Sequence, residues 1–260
     1  GGSLNYDDQE AWTLRLLVGS AFRAPNIDDL AKIRVKNGDA SVPNLELKPE
    51  RATNLELSAR RQIQESTQIS VTGFYTHLQD AIVQTPFPLP DGQKELTFDG
   101  EQFATIANIN AERGRLYGLS INLSWQLAAL LNLGSTFNYV KGTTVDADGS
   151  ESPMAHIPPV YGRSSLTYAA EKLEVKAIVR YNGPKKLQDY STNSADNLEL
   201  ATPEGTLSWV TFNLYGSYNL PRGFEVQLAF ENLTDQHYRP FASGVSAPGR
   251  NVSLSLRWLF

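Results

Sequence analysis

Three histidines, His77, His156 and His237, are the side chains best suited to acid–base or metal chemistry near neutral pH. They are far apart in sequence, and each stands at or near the base of a polar connecting segment. Acyl transfer would need one of them beside a serine or carboxylate on a rim, and no spacing in the chain supplies that pairing. Asp146-Ala147-Asp148-Gly149 begins like a calcium loop but lacks the Asp or Asn at the fifth position and the Glu at the twelfth. It reads as a loop tip. Lys185-Lys186 reads as a solvated loop base or a contact for anionic lipid. Cysteine is absent, which removes disulfides, thiolate metal sites and a cysteine nucleophile. Gly-rich phosphate loops, HExxH and GxSxG are also absent. No metal or cofactor is expected, and a net charge of −5 argues against a nucleic-acid partner.

The elements that carry these residues are strands. Asn251 to Phe260 reads NVSLSLRWLF. Val252, Leu254, Leu256, Trp258 and Phe260 share one face, and Ser253, Ser255 and Arg257 share the other. Strict period two means a strand with two different environments. The same alternation recurs from Trp12 to Phe22, Leu55 to Arg60, Ile69 to Thr76 and Leu119 to Trp125. It recurs again from Leu131 to Tyr139, Ser165 to Tyr168, Leu173 to Tyr181, Val210 to Tyr218 and Phe224 to Phe230. That makes about ten strands, mostly of the ~9–11 residues a tilted spanning strand needs.

The connections alternate long and short, with a long one first and last. The long segments run over about Arg23–Glu50, Gln79–Gln102, Thr143–Pro159, Gly183–Ser208 and Thr234–Gly249. A soluble Greek-key sandwich has no reason for this alternation. An antiparallel transmembrane β-barrel does, with short periplasmic turns and long extracellular loops. Glu56, Arg60, Lys176, Arg180, Glu225, Gln227 and Arg257 form a wet face that a lumen would accept. An even strand number puts both termini on the periplasmic side. No apolar run is long enough for a spanning helix, and no signal peptide is visible at the start.

Aromatic residues mark the strand ends on the apolar face. Trp125, Tyr168, Tyr218 and Trp258 precede short turns or the C-terminus and are expected to form a periplasmic girdle. Tyr75, Tyr139, Tyr181 and Phe230 lie beside the long loops and are expected to form the outer one. Leu214 and Leu228 are expected to face lipid, and Thr211 and Gln227 the lumen.

Several segments together resemble the C-terminal part of TonB-dependent outer-membrane receptors, especially those of Bacteroidetes-type bacteria. They are AFRAPNIDDLAK (Ala21 to Lys32), VPNLELKPERATNLEL (Val42 to Leu57), HIPPVYGRSSLTY (His156 to Tyr168), YNGPKKLQDYS (Tyr181 to Ser191) and ENLTDQHYRPFASGVSAPGRN (Glu231 to Asn251). The resemblance implies about ten C-terminal strands of a barrel of about 22 with a plugged lumen. It places the N-terminal plug and the first barrel half outside this chain. It further implies energised uptake of a scarce ligand, an iron-siderophore or similar chelate, with haem and cobalamin ranking behind. The implied partners are outer-membrane lipid, the missing half with its plug, TonB through that plug alone, and the barrel-assembly machinery, which would meet the terminal strand. Haem receptors that resemble this stretch carry a histidine between FRAP and NPNL. No histidine separates Phe22-Arg23-Ala24-Pro25 from Val42-Pro43-Asn44-Leu45 here. Two other classes fit a barrel: a passive porin or structural barrel, and an outer-membrane barrel enzyme.

Overall fold

The computed structural model describes residues 1–8, 11–36, 38–111, 113–145, 149–191 and 196–258. In chain order the elements are β1 (Gly2–Asp7), β2 (Trp12–Arg23), α1 (Ile27–Ala31), β3 (Arg34–Lys36), β4 (Asp39–Ser41), β5 (Glu50–Ile63), β6 (Thr67–Gln79), β7 (Ile82–Pro86), β8 (Glu95–Phe98) and β9 (Glu101–Asn110). There follow β10 (Arg113–Ala128), β11 (Leu131–Val145), β12 (Glu151–Pro153), β13 (Tyr161–Ala169), β14 (Leu173–Asn182), β15 (Trp209–Asn219), β16 (Phe224–Glu231) and β17 (Asn251–Trp258). One sheet runs β1-β2-β5-β6-β10-β11-β13-β14-β15-β16-β17, every neighbour antiparallel, with β12 added to β11. Among the described residues no helix is long and apolar enough to cross a membrane, which has no bearing on crossing by strands.

The ten expected strands are all in this wall, and β1 makes an eleventh. Leu4 and Tyr6 pair with Leu16 and Leu14. Asp8 closes the turn, its carboxylate accepting from the backbone N–H of Ala11 (2.8 Å) and Trp12 (2.7 Å). The extra strand overturns the expected topology. With eleven antiparallel strands the chain enters and leaves the wall on opposite sides, so Gly2 lies on the long-loop side and Trp258 on the short-turn side. Several strands also exceed the expected length: β10 has 16 residues and β11 has 15. Tyr75 and Tyr139 therefore do not end their strands, which continue to Gln79 and Val145.

The two faces of the wall are inverted relative to a soluble sheet. Leu57 is 58% exposed and Leu254 73%, while Glu56 and Ser58 are half-buried and Thr211 on the polar face is 2% exposed. The polar face is the concave one, with a cavity of about 280 Å³ lined by Arg60, Gln68, Asn122, Thr136 and Arg163. The two serines that interrupt the apolar face, Ser135 and Ser164, hydrogen-bond each other at 2.9 Å, which satisfies both hydroxyls away from water.

The long connections are not bare loops. β3, β4, β7, β8 and β9 form a second, five-stranded sheet at the long-loop end, with β4 and β9 parallel. Thr105, Ile106 and Ala107 of β9 are buried there, and so are Ala40 and Ala81. The tightest apolar packing thus lies largely above the wall, because the wall's own apolar face has no protein to cover it.

Candidate functional site

Connections 24–49, 80–112, 146–160, 183–208 and 232–250 all emerge from the same end of the wall and knit together there. The first joint uses the FRAP segment (Phe22 to Pro25) and the VPNL segment (Val42 to Leu45). Arg23 pairs with Asp29 (2.6 Å) and Glu50 (2.8 Å), and Asn26 and Asp29 form a reciprocal capping box at the start of α1. Asn44 donates to the Asn108 carbonyl (2.8 Å), and Asn108 donates back to that of Asp29 (2.9 Å). Asn110 bridges the carbonyls of Lys48 (3.0 Å) and Asp80 (2.7 Å). These motif residues therefore serve as clamps at the rim, holding the second sheet over the wall.

Two further joints carry buried charge and amide groups. Asp196 is 1% exposed and accepts from the backbone N–H of His156 at 2.8 Å. The His156 ring stands 3.4 Å from the same carboxylate. Lys185 is 5% exposed, donates to the Ile157 carbonyl, and lies 4.2 Å over the Phe241 ring and 5.6 Å from that of Tyr190. Burial lowers the Lys185 pKa below the ordinary lysine range, while Asp196 and Asp189 pull it back up. This corrects the expectation of a solvated Lys185: it is a buried strut.

Asn232 is 4% exposed at φ 49°. It donates to the Gln236 (2.9 Å) and Pro248 (3.2 Å) carbonyls and accepts from Gln236 N–H (2.9 Å). Asn232→Ala is expected to cost about 1–3 kcal/mol, since it strands buried backbone groups and puts alanine in the left-handed region. Faster proteolysis of connection 232–250 in the folded receptor would report it; an unchanged cleavage rate would contradict this role.

Between these joints lie two adjoining cavities that share Lys32, Gln84 and His156, of about 450 Å³ and about 230 Å³. The smaller is lined by Lys32, Arg34 and Lys36 against one carboxylate, Asp39. Lys36 also donates to Asn197 (3.1 Å), whose amide reaches the Ala242 carbonyl (2.9 Å), so three connections meet at this cation. The smaller cavity offers an anion an excess of positive charge and several hydrogen-bond donors, while the larger one adds Asp28 and Asp29, the latter already paired with Arg23. Sequence reading missed this site. Its clue was the run Lys32, Arg34, Lys36: alternate spacing puts Arg34 and Lys36 on one side of β3, and Lys32 follows the end of α1 just before it.

The structure brings only His156 of the three histidines to this site. His237 hydrogen-bonds Ser246 (3.1 Å), and His77 lies on the apolar face of β6 above Tyr75. Among the described residues no cluster of three or more His, Cys, Asp or Glu could hold a metal. Asp146, Ala147 and Asp148 lie outside the described residues, as does Phe260. Val252, Leu254, Leu256 and Trp258 pair with Phe230, Leu228, Val226 and Phe224 on one side only, and Trp258 stacks on Phe224 at 5.7 Å.

The aromatic positions step through the register from strand to strand. Trp125 shares a row of paired residues with Leu133, Leu166, Ala177, Leu214, Phe230 and Val252. Tyr168 lies two residues below that row, Tyr218 four and Trp258 six. On the other side Arg61, stacked on Trp12 at 5.0 Å, lies two above and Tyr6 four above. Two residues per strand pair is one per strand, and ~3.3 Å of rise against ~4.8 Å of spacing is a tilt of about 35°. Barrel strands typically tilt by about 35–45°, and at the lower end of that range a level line descends the register at this rate, which would put these six positions at one height. Near the loops, Tyr139 lies two residues below Tyr75 and Tyr181 two below Tyr139, a second level line. Phe230 lies four below Tyr181 and leaves that line. The level position on its strand belongs to Asn232, which is committed to the loop clamp. Tyr75 stands eight residues from Thr67, the partner of Trp125. Removing the one-residue stagger leaves seven, or roughly 19 Å between the lines.

An antiparallel wall with an exposed apolar face, a polar concave face and all long connections at one end defines an outer-membrane β-barrel segment. The chain belongs to the TonB dependent receptor-like, beta-barrel family, whose model matches residues 1–233. It is a receptor family rather than an enzyme family, and the chain is an outer-membrane protein. The chain is 24% identical over 250 residues to the iron-regulated outer membrane virulence protein of Vibrio cholerae serotype O1, covering 94% of this chain and 37% of that protein. It is 24% identical to hemoglobin-haptoglobin utilization protein B of Neisseria meningitidis, covering 86% of this chain and 30% of that one. In fold it resembles the copper transporter OprC (TM-score 0.76, 20% identity, 99% of this chain and 39% of that one). It also resembles the siderophore receptor PirA from Acinetobacter baumannii (TM-score 0.74, 19% identity, 99% and 40%). The chain thus spans well under half the length of these relatives.

Proposed function

We propose that this chain is the C-terminal arc of a TonB-dependent receptor barrel of about 22 strands, and that the receptor imports an anionic metal chelate, an iron-siderophore or a similar molecule, by energised uptake. On this reading the long loops face outward, the two aromatic lines mark the membrane interfaces, and the plug and the remaining strands come from the rest of the receptor. TonB acts through that plug alone, and the terminal strand, Val252 to Phe260, is what the barrel-assembly machinery meets. The observation that carries the choice of ligand is the loop cavity lined by Lys32, Arg34 and Lys36 against Asp39. Iron chelates built on catecholate or carboxylate oxygens are anionic, and clustered cations select for them over neutral solutes.

The test is binding of radiolabelled ferric chelates to cells that carry the full-length receptor. The triple variant K32Q/R34Q/K36Q is expected to weaken binding of an anionic ferric chelate by about tenfold or more, most strongly at low ionic strength. Unchanged affinity for every anionic chelate tested would rule out this cavity as the ligand site.

A further inference from the structure

On the apolar face of the wall, charge is confined to two levels. Among the described residues this face carries Arg61 at the lower aromatic line, and Arg51, Arg113, Arg115 and Lys141 near the loops, against one carboxylate, Glu151. Thr53, His77, Arg115 and Thr143 share a row across β5, β6, β10 and β11; Arg51 lies two residues above it and Lys141 two below. Corrected for the stagger, Arg51, His77, Arg115 and Lys141 stand within about one residue of a single height. That height is two to three residues, roughly 5–8 Å, above the line of Tyr75 and Tyr139. Arg113 stands two residues beyond Arg115 on the same face.

We propose that this band is a binding site for the phosphate groups of an anionic lipid in the outer leaflet, a phosphorylated glycolipid. The inference rests on the reading that the apolar face meets lipid and that Tyr75 and Tyr139 mark the outer interface. Three observations carry it. The patch is strongly cationic on a chain whose net charge is −5. It faces lipid rather than lumen, so neither a plug nor an imported ligand reaches it. Its height is that of headgroups standing just above hydrocarbon.

The cations are also available. Arg51, Arg113 and Lys141 form no ion pair with a described residue, and Arg115 engages Glu151 through one terminal nitrogen. Arg113 and Arg115 stand about 7 Å apart on one strand, and Lys141 is diagonal to Arg115 across the next. Side chains of this length converge on one phosphate, with arginine forks giving paired N–H···O bonds. Tyr117, in the same row as Tyr75 and paired with Lys141, completes an aromatic floor beneath them.

The experiment compares full-length receptor with the variant R51Q/R113Q/R115Q/K141Q, each purified from outer membranes in nonionic detergent. Glycolipid retained per protein is read by native mass spectrometry. Each charge near a lipid surface contributes about fivefold, so the variant is expected to retain more than tenfold less, while Arg61→Gln retains the parental amount. Enzymatically dephosphorylated glycolipid should not rebind to the parent, and millimolar inorganic phosphate should not displace the native lipid. Equal retention by the variant, or displacement by inorganic phosphate, would overturn the proposal. A heat-modifiable band establishes that the variant is folded; if it is lost, R51Q/R113Q is measured instead, with a smaller expected loss. Chelate binding should be unaffected by the variant. Failure of the parent to bind any chelate, with lipid retention intact, would count against the proposed function alone.

Discussion

Leu214→Arg and Leu228→Arg, each in the full-length receptor, are expected to destabilise the barrel by about 2–4 kcal/mol, close to the largest penalty the lipid face imposes. Leu214 lies on the Trp125 row four strands away, and the stagger lifts it about four residues above the lower aromatic line. Leu228 lies one row lower and one strand further, about three residues above that line. With seven residues between the lines, both are near the midplane, where a guanidinium is furthest from water and cannot snorkel to either interface. Gln227→Arg, on the lumen face beside Glu225 (3.0 Å), should cost little. Thr211 is no suitable control, although it is on the lumen face: it is 2% exposed and packed against Asn213, so an arginine there would disrupt the clamp that holds Asn232. Unfolding in urea from lipid vesicles would measure these costs. Equal penalties at Leu228 and Gln227 would mean that the two faces are wrongly assigned.

The wall was legible in the sequence because its signal is local. Side chains alternate along each strand, and the environment on each face is uniform, lipid or water, so every strand repeats the same message. β1 escaped because only Leu4 and Tyr6 show the alternation before Asp8 turns the chain. β9 escaped for the opposite reason: its centre, Thr105 to Ala107, is buried on both faces by other connections, so no wet face marks the period. The loop site was illegible because its joints span long sequence distances. Lys36 meets Asn197 across 161 residues, and His156 meets Asp196 across 40. Lys185 shows the limit best. Beside Lys186 in a polar segment it reads as solvated, and only the folded positions of Ile157, Tyr190 and Phe241 make it a buried strut. The level lines were half legible: the sequence named the aromatics, but only the register could separate Phe230 from Tyr181.

Expressed alone and refolded in detergent, residues 1–260 are expected to yield no heat-modifiable, protease-resistant monomer. The wall ends in two open edges, β1 and β17, and unpaired backbone groups in hydrocarbon cost several kcal/mol each. Self-closure would have to pair these two strands. With eleven strands alternating in direction, the first and the last run the same way, so closing the wall upon itself requires a parallel pair in an otherwise antiparallel barrel. The match is poor in other respects: β1 offers six residues and β17 eight, and their apolar sides carry Leu4, Tyr6, Val252, Leu254 and Leu256, all more than half exposed. A barrel of about eleven strands is also far narrower than one of about 22, and it would crowd Arg60, Arg163 and Arg180 into a lumen without a plug. The open edges would instead pair between copies and aggregate. Adding the remaining strands from a separately expressed first half should supply antiparallel partners to both edges and rescue a heat-modifiable complex. A folded monomer from residues 1–260 alone, β-rich by circular dichroism and shifted on an unheated gel, would show that the parallel closure is tolerated and that the edge argument is wrong.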